Sequence, residues 1–368
     1  MKKILHVGLD VDDKSFHIGA FCSETGEVFE LTSRPTLGDL LKKLENFQAQ
    51  NFEIKLCYEA TYIGYPLCRS LRKAGIEAEI IAPSLIPELA SKRVKTDRLD
   101  ANKMAKYYAS GLLTKIHVPT EEDENERDLI RSRSFLVDQR KDLKKHILSA
   151  CRRNNLNYKQ ENNTKNHWTI MHVEWPTAEV NKLSGPLRST LELLLFQLKK
   201  LDECINEFVV KITELSETPK YQKKKDSLNC FRGIDTLTSM TLITEIGDVK
   251  RFKHPKQLTS YAGLDIIEYS SGGKEKKFGI TKMGNNRIRT AVVESCQKID
   301  KTNMISRRLK GHREQQDLKI IDVADRCMSR LRKKSKRLLE SGKHKNKVKV
   351  ACARELLSFV WEALNLVA

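Results

Sequence analysis

The sequence predicts a mixed α/β domain followed by a mainly helical chain, and three patterns in its 368 residues support this fold class. Residues 1–118 interleave short apolar or alternating runs, which suit strands, with helical spacing of leucines. Residues 119–226 carry a heptad repeat, which is typical of a coiled coil. Residues 227–310 and the basic segment 311–368 are mostly helical in periodicity, with one hairpin signal. We predict a domain or region for each of these four segments.

The first segment alternates between strand and helix. Its apolar and alternating runs predict strands, and the leucine spacing between them predicts helices. Gly75 and Gly111 are placed to end two of the helices, and Thr96 can cap the start of the last one. The strands are predicted over 4–9, 15–21, 52–59 and 78–82, and the helices over 37–47, 67–74 and 97–109.

The second segment contains a long heptad seam. From Leu187 to Leu215, nine apolar residues are spaced alternately by four and three, which strongly indicates a coiled coil. A weaker repeat begins at Leu129 and could pair with this seam as an antiparallel hairpin, or the seam could pair with a second subunit. The run Lys223 to Lys225 is interpreted as a linker.

The third segment starts with a pattern similar to a helix-hairpin-helix, in which 231–235 and 245–248 flank an apolar helix. Such hairpins present backbone N–H groups to phosphates, although a plain helical hairpin explains the pattern equally well. A β-hairpin is predicted over 266–279, and a helix follows from Asn285. The last segment is basic and ends in an amphipathic helix near residue 356.

The charge is concentrated near the carboxyl end. Lys and Arg total 67 against 48 Asp and Glu, a formal net charge of +19. The net charge is +2 in 1–118, +2 in 119–226 and +15 in 227–368. Residues 330–349 contain ten Lys or Arg and one acid, Glu340. A charge run is usually a solvated face, but its position between apolar-periodic segments favours a nucleic-acid surface here.

Other features exclude several classes of protein. No apolar run is long enough to span a bilayer, and the residues after Met1 do not form a signal peptide. The nine cysteines form no Cys-x-x-Cys pair. We therefore expect reduced thiols and a cytoplasmic protein, associated with the nucleoid when it acts, rather than a disulfide framework or zinc ribbon.

Four carboxylates lie where an α/β sheet could bring them together. Asp10 and Glu59 end two predicted strands, and Asp97 and Asp100 lie one turn apart at a helix start. Each could instead be a solvated or helix-capping acid. Together they form the oxygen ligand set that Mg²⁺ prefers, and two such ions can assist phosphoryl transfer.

The surrounding motifs resemble a known family. Gly8-Leu9-Asp10-Val11, Glu59 and the string 95–101 (KTDRLDA) resemble the catalytic domain of the DEDD insertion-sequence transposases of the IS110 family. The subgroup with longer middles, IS1111, is similar around Trp168 and Trp175. In the carboxyl-terminal part, 245–248 (EIGD), 261–264 (YAGL), 270–274 (SSGGK) and 282–289 (KMGNNRIR) are similar to that family's transposase domain. Relatives in the family include site-specific DNA invertases.

The resemblance implies a DNA recombinase. It implies a ribonuclease-H-like, RuvC-type domain at the amino end, with Mg²⁺ (Mn²⁺ as the alternative) held by Asp10, Glu59, Asp97 and Asp100. Ser271 would be the nucleophile, in preference to Ser270, because family members keep the serine directly before the glycine. The active site would then be composite. A structured RNA from the element would guide target choice. Separately, the apolar 187–215 seam predicts at least a dimer, and a recombinase must hold two duplexes, which favours a tetramer on DNA.

Basic residues are expected to bind the nucleic acid. The candidates are Lys274, Lys282, Arg287, Arg289, Arg332, Lys333, Lys334, Lys336 and Arg337.

Three other functions are compatible with parts of the pattern. A Holliday-junction resolvase would use the same carboxylates with water as the nucleophile and would not need the Ser-Gly-Gly turn. An actin-like sugar kinase also has a first strand that ends in Gly-x-Asp, but 11–15 lacks its glycine-rich phosphate turn. A DNA-coating protein without activity would not need the carboxylates.

Overall fold

The computed structural model describes residues 2–87, 97–157, 167–168, 170–271, 274–299 and 304–368. The side chains of 97–99, 170–174, 270–271, 274–277 and 298 are outside this description. The chain forms two compact units, 1–120 and 121–368. Within the described residues, no helix is long and apolar enough to cross a membrane.

The first unit is built on a mixed six-stranded sheet with the strand order β3-β2-β1-β4-β5-β6. β1 is parallel to β4, β4 is parallel to β5, and the other neighbours are antiparallel. The strands are β1 (Lys3–Val11), β2 (Phe16–Cys22), β3 (Val28–Ser33), β4 (Phe52–Glu59), β5 (Glu77–Ile81) and β6 (Lys115–Ile116). β3 and β6 are the two strands that the sequence did not predict.

Helices cover both faces of this sheet. α1 (Leu37–Ala49) and α2 (Pro66–Lys73) pack on one face, where Leu5, Val7 and Leu9 of β1 are fully buried. Thr36 caps α1 by accepting the Asp39 backbone N–H, and Pro66 starts α2 at a position where no N–H is needed. α3 (Asp97–Ala109) packs on the other face.

α3 lies unusually close to the sheet because two glycines face it. A Cβ added to Gly8 would be 2.3 Å from the Ala101 carbonyl oxygen, and one added to Gly19 would be 2.5 Å from the Asn102 nitrogen. Gly8 and Gly19 are direct cross-strand partners on β1 and β2. Because neither glycine has a side chain, the backbone of α3 packs directly on β1 and β2. This contact fixes where α3 begins relative to the strand ends.

The second unit begins with two long antiparallel helices, α4 (Glu121–Arg153) and α6 (Gly185–Ser216), with α5 (Ile170–Asn181) between them. The end of α4 packs on the start of α6, and Ile130 near the start of α4 shares a core with Ile212. Four positions of the heptad seam are buried against α4, namely Leu191, Leu198, Ile205 and Ile212. The other five are half-buried. The antiparallel hairpin, one of the two predicted alternatives, is thus present within one chain.

The remaining elements share one hydrophobic core with the base of that hairpin. A two-stranded antiparallel sheet, β7 (Ile266–Ser271) and β8 (Lys274–Ile280), is present at the predicted place. The helices are α7 (Gln222–Asn229), α8 (Thr236–Ile246), α9 (Pro255–Tyr261), α10 (Asn286–Ser295), α11 (Arg307–Arg313), α12 (Leu318–Glu340) and α13 (Lys345–Val367).

The predicted linker is wrong. Residues 223–225 lie in α7, and Lys225 is 6% exposed. Its ammonium group is 2.7 Å from a Glu217 carboxylate oxygen and 2.8 Å from one of Asp226. These two acids neutralise the charge of Lys225. In the sequence alone, the three lysines look like a solvated basic run.

The basic segment 311–368 is part of the shared core. α12 and α13 form a helical hairpin whose apolar faces, including Leu331 and Leu357, are buried with the residues of α8 and α10. The predicted segments 119–226, 227–310 and 311–368 therefore lie within one compact unit, 121–368.

Candidate active site

Asp10 and Glu59 lie side by side at one edge of the sheet. β1 and β4 are parallel, and their last paired residues are Leu9 and Tyr58. Asp10 and Glu59 are the next residues on the two strands, so their backbones are one strand spacing apart, about 4.8 Å. The register of two distant segments thus brings together the two carboxylates that the sequence placed only at strand ends.

Both residues are on the face of the sheet that α3 covers. Side chains alternate along a strand, and His6 on β1 contacts the Tyr108 ring of α3 at 5.6 Å between centroids. Asp10 is four residues beyond His6 and so shares its face. Cys57 on β4 packs with Met104 and Tyr108 of α3, so Glu59 faces the same way.

The first turn of α3 reaches the same edge. Tyr108 lies against His6, whereas Ala101 lies against Gly8, two residues before Asp10. α3 therefore runs antiparallel to β1, and its amino end, with Asp97 and Asp100, lies towards the ends of β1 and β4. The structure describes the Asp100 side chain, but the Asp97 side chain lies outside the description.

This carboxylate edge has the chemistry of a hard-cation site, because its donors are all carboxylate oxygens. Within the described residues, however, no group of three or more His, Cys, Asp or Glu side chains could hold a metal ion. Asp10, Glu59 and Asp100 alone therefore do not complete the predicted site. A full donor set would need Asp97 as well.

His17 is a neighbour of this edge that the sequence analysis missed. It is the direct cross-strand partner of Asp10, and its Nε2 is 3.3 Å from the Ser15 Oγ. On the next strand, Thr32 pairs with His17. The three residues form one row across β1, β2 and β3, which the sequence could not show because it depends on register.

Ser271 is the last residue of β7 and pairs with Lys274, the first residue of β8. The predicted nucleophile thus lies at the carboxyl end of β7. The side chains of Ser270, Ser271 and Lys274 are outside the described part, as are residues 272–273. Near the tip, Tyr269 and Phe278 stack edge to face at 5.7 Å, and both are mainly exposed.

A buried carboxylate anchors the loop that follows the hairpin. Glu245 is 2% exposed and accepts two hydrogen bonds from Arg131 of α4, at 2.7 and 2.8 Å. Asn285 donates a third, at 2.7 Å, and its own side-chain oxygen accepts from the first N–H groups of α10. Burial would raise the pKa of Glu245, but the Arg131 and Asn285 hydrogen bonds outweigh it, and the net pKa is lowered.

The predicted basic residues of this loop and of the start of α10 differ in what they contact. Lys282 is exposed. Arg289 donates to the Ala262 carbonyl oxygen at 2.7 Å, and Arg287 lies 3.8 Å from Glu245. Two of the predicted nucleic-acid ligands therefore also hold the 261–264 turn and the buried acid in place.

Some basic residues of α12 form ion pairs within the described part of the chain and others do not. Lys334 pairs with Glu355 at 3.0 Å, and Lys336 pairs with Glu340 at 3.8 Å. Arg332, Lys333 and Arg337 have no ion pair among the described residues. Their charge is therefore available to an external anion.

Comparison with known proteins supports the resemblance to insertion-sequence transposases. Residues 7–153 match the DEDD transposase model of IS110 elements, described as a transposase, and residues 226–309 match a model described as the transposase IS116/IS110/IS902 family. A Sinorhizobium fredii protein named as transposase y4qE is 31% identical over 320 residues, which cover 87% of this chain and 77% of that protein.

Two further relatives extend this similarity. The transposase for insertion sequence element IS1533 of Leptospira borgpetersenii is 28% identical and covers 92% of this chain and 97% of its own length. The transposase for IS1111A of Coxiella burnetii is 23% identical, with 81% and 78% covered.

The mixed sheet, its strand-end carboxylates and these matches define a class: the chain is a DNA transposase with a DEDD-type amino-terminal domain. It belongs to the IS110 family of insertion-sequence transposases. Its substrate is accordingly DNA, and domains of this class typically use a divalent metal ion.

Proposed function

We propose that this transposase cuts and rejoins DNA at the carboxylate edge, with Mg²⁺ held by Asp10, Glu59, Asp97 and Asp100 and with Ser271 as the nucleophile. One observation supports this proposal most strongly. Asp10, Glu59 and the first turn of α3 meet at one edge and on one face of the sheet. A mixed sheet of this kind is also consistent with the ribonuclease-H-like fold that the motifs imply.

The carboxylates position the reacting phosphate. A divalent ion bound there would supply Lewis-acid stabilisation of charge on the phosphate oxygens. The all-oxygen donor set favours Mg²⁺, and Mn²⁺ is the alternative with similar ligand preference. His17, opposite Asp10, is placed to orient that carboxylate or a bound water.

The serine would make the protein a recombinase rather than a nuclease. The Ser271 oxygen would form an ester bond with phosphorus while the bond from phosphorus to one sugar oxygen breaks, and the serine proton would pass, directly or through water, to that sugar oxygen, which leaves as a hydroxyl. The energy of the phosphodiester would then be kept for rejoining. Ser271 ends a hairpin whose Tyr269 and Phe278 are 70% and 57% exposed, and this exposure supports access to a DNA backbone.

The unpaired cations of α12 support a large polyanionic partner in addition to the DNA that is cut. We propose that this partner is a structured RNA encoded by the element, which selects the target by base pairing. Sequencing of nucleic acid that co-purifies with the protein tests this directly. The proposal expects RNA that maps beside the protein's own gene, and recovery of random cellular RNA would contradict it.

The test of the carboxylate edge compares two isosteric changes on the same strand. Glu59→Gln removes the charge at the end of β4, and Glu53→Gln removes an exposed charge near its start. We expect Glu59→Gln and Asp97→Asn to lower strand cleavage by orders of magnitude while DNA binding persists, and Glu53→Gln to leave both unchanged. Undiminished cleavage in Glu59→Gln or Asp97→Asn, or in excess chelator, would refute the proposal.

The nucleophile is tested with neighbouring serines as matched variants. A nicked DNA substrate should trap a phosphoserine adduct, and peptide mapping should place it at Ser271. Ser271→Ala should abolish the adduct, and Ser270→Ala should retain it. Cleavage without any adduct in the unaltered protein would instead support a resolvase that uses water.

A further inference from the structure

A cationic groove lies beside the carboxylate edge in the first unit, and nothing in the motifs points to it. It is an open cleft of about 750 Å³. Its walls are the β1–β2 turn, the end of β3 and one side of α1. The residues that matter for its chemistry are Lys14, Thr32, Arg34, Lys42, Lys43 and Asn46.

The charge of this groove is available. Lys14, Arg34 and Lys42 are exposed, and Lys43 is half-buried. None of the four side chains forms an ion pair with a described residue. The groove also contains two acids, Asp39 and Glu45. Asp39 accepts a hydrogen bond from the hydroxyl of Thr36 at the start of α1. Four free cations beside hydroxyl and amide groups form a surface that suits a phosphodiester backbone.

The register connects the groove to the carboxylates. Thr32 lines the groove, pairs with His17, and through it shares a row with Asp10. Two strand spacings separate Thr32 from Asp10, which is about 10 Å at ~4.8 Å each. The α1 side of the groove lies on the face of the sheet opposite α3, so a strand that contacts both the groove and Asp10 passes over the edge where β1 and β3 end.

From this geometry we infer that the groove binds the backbone of the DNA strand being cut, where that strand passes over the same edge of the sheet as Asp10. The inference rests on the proposed role of the carboxylate edge. It assigns a DNA contact to a unit whose net charge of +2 in 1–118 does not suggest one. The acids that lower this total mostly lie elsewhere, so the overall count hides the local cluster.

The test measures how DNA affinity of the full chain depends on salt. The groove variant carries Lys14→Gln, Lys42→Gln and Lys43→Gln. A control variant carries Lys2→Gln, Lys3→Gln and Lys73→Gln, which removes three exposed lysines of the same unit. Lys2 and Lys3 lie near the opposite end of β1 from Asp10, and none of the three control lysines lines the groove.

Each phosphate contact contributes about 0.9 to the slope of log affinity against log salt for duplex DNA, or about 0.7 for a single strand. We expect the groove variant to lower the slope by about two to three and the control variant to leave it unchanged. Equal slopes in the two variants would overturn the inference. A loss seen only with an RNA of the same sequence would also overturn it.

A separate measurement distinguishes this inference from the proposed function. Asp10→Asn should abolish cleavage and keep the salt slope of the unaltered protein. If Asp10→Asn loses cleavage while the groove variant keeps the full slope, the groove assignment fails and the role of the carboxylates remains supported.

Discussion

Glu245 shows how a motif residue can stabilise the fold that carries a site. Its carboxylate is buried, and three hydrogen bonds from Arg131 and Asn285 compensate for the lost water. Through Asn285 the same acid is linked to the start of α10 and to the loop that follows the β7–β8 hairpin. The motif position therefore has a structural explanation that does not require contact with DNA.

We predict that Glu245→Ala lowers the free energy of unfolding by about 2–3 kcal/mol, because it leaves Arg131 and Asn285 without their acceptor. Urea denaturation at neutral pH measures this. Glu192→Gln, which changes an exposed surface pair with Arg188, is the control and should cost less than about 0.5 kcal/mol. Similar losses of unfolding free energy in the two variants would show that the buried Glu245 carboxylate stabilises the protein no more than an exposed one.

The lowered pKa of Glu245 also predicts a pH dependence. A carboxyl group whose pKa is lowered by folding stabilises the protein above its unfolded pKa, about 4.3, and this contribution is lost as pH falls through the lower folded value. The difference in unfolding free energy between the unaltered protein and Glu245→Gln should therefore shrink below about pH 4. A difference that stays constant down to pH 3 would contradict the assignment.

At the scale of elements, the packing of α3 on the sheet decides where the first turn of α3 lies relative to the ends of β1 and β4. Gly8 and Gly19 allow the helix backbone to contact the strands directly. A side chain at either position would push α3 away from the sheet. The first turn of α3 would then shift relative to Asp10 and Glu59, even though neither residue had changed.

We predict that Gly8→Ala lowers the unfolding free energy by about 1–3 kcal/mol and lowers cleavage, since its Cβ would overlap the Ala101 carbonyl. Gly38→Ala is the matched control. A Cβ there meets no atom within 4 Å, and the residue lies in α1. That change should be neutral or slightly stabilising. If Gly8→Ala and Gly38→Ala had equal effects on thermal unfolding and on cleavage, this would argue against direct packing of the α3 backbone on Gly8.

The α4–α6 hairpin leaves apolar surface uncovered. Leu193 and Phe196 of α6 lie one turn apart and are 69% and 60% exposed. We expect the protein to form at least a dimer at micromolar concentration, with this surface buried between copies. Light scattering should show a lower mass for Leu193→Ser with Phe196→Ser. Leu318→Ser, which changes another exposed leucine, should not alter the mass.

At the scale of the whole molecule, the uneven charge predicts where long polyanions bind. The structure separates the paired cations of α12 from the unpaired ones. Replacing Arg332, Lys333 and Arg337 with glutamine should lower the salt slope of nucleic-acid binding by up to about 2.7 for duplex DNA. Replacing Lys334 and Lys336 should change the slope less. If the paired residues prove more important, intramolecular pairing does not determine which cations bind.

Periodic patterns allowed most elements of this protein to be predicted from its sequence. The strand and helix patterns of the first segment, the heptad seam and the hairpin near Ser271 all correspond to observed elements. β3 was missed because it is an edge strand with only one buried residue, so its sequence has little apolar alternation. The linker was mispredicted because Lys225 is neutralised by Glu217, eight residues away, which local charge counting cannot detect.

The sequence by itself determined the family, the elements and the identity of the candidate carboxylates, because these depend on residue types and short-range spacing. Only the tertiary structure decided which carboxylates are neighbours, which face they share and which cations are unpaired. Asp10 and Glu59 are 49 positions apart, and their adjacency follows from the β1–β4 register. Thr32 and the basic groove join the same edge through backbone pairing across three strands, and no local pattern in the chain encodes that pairing.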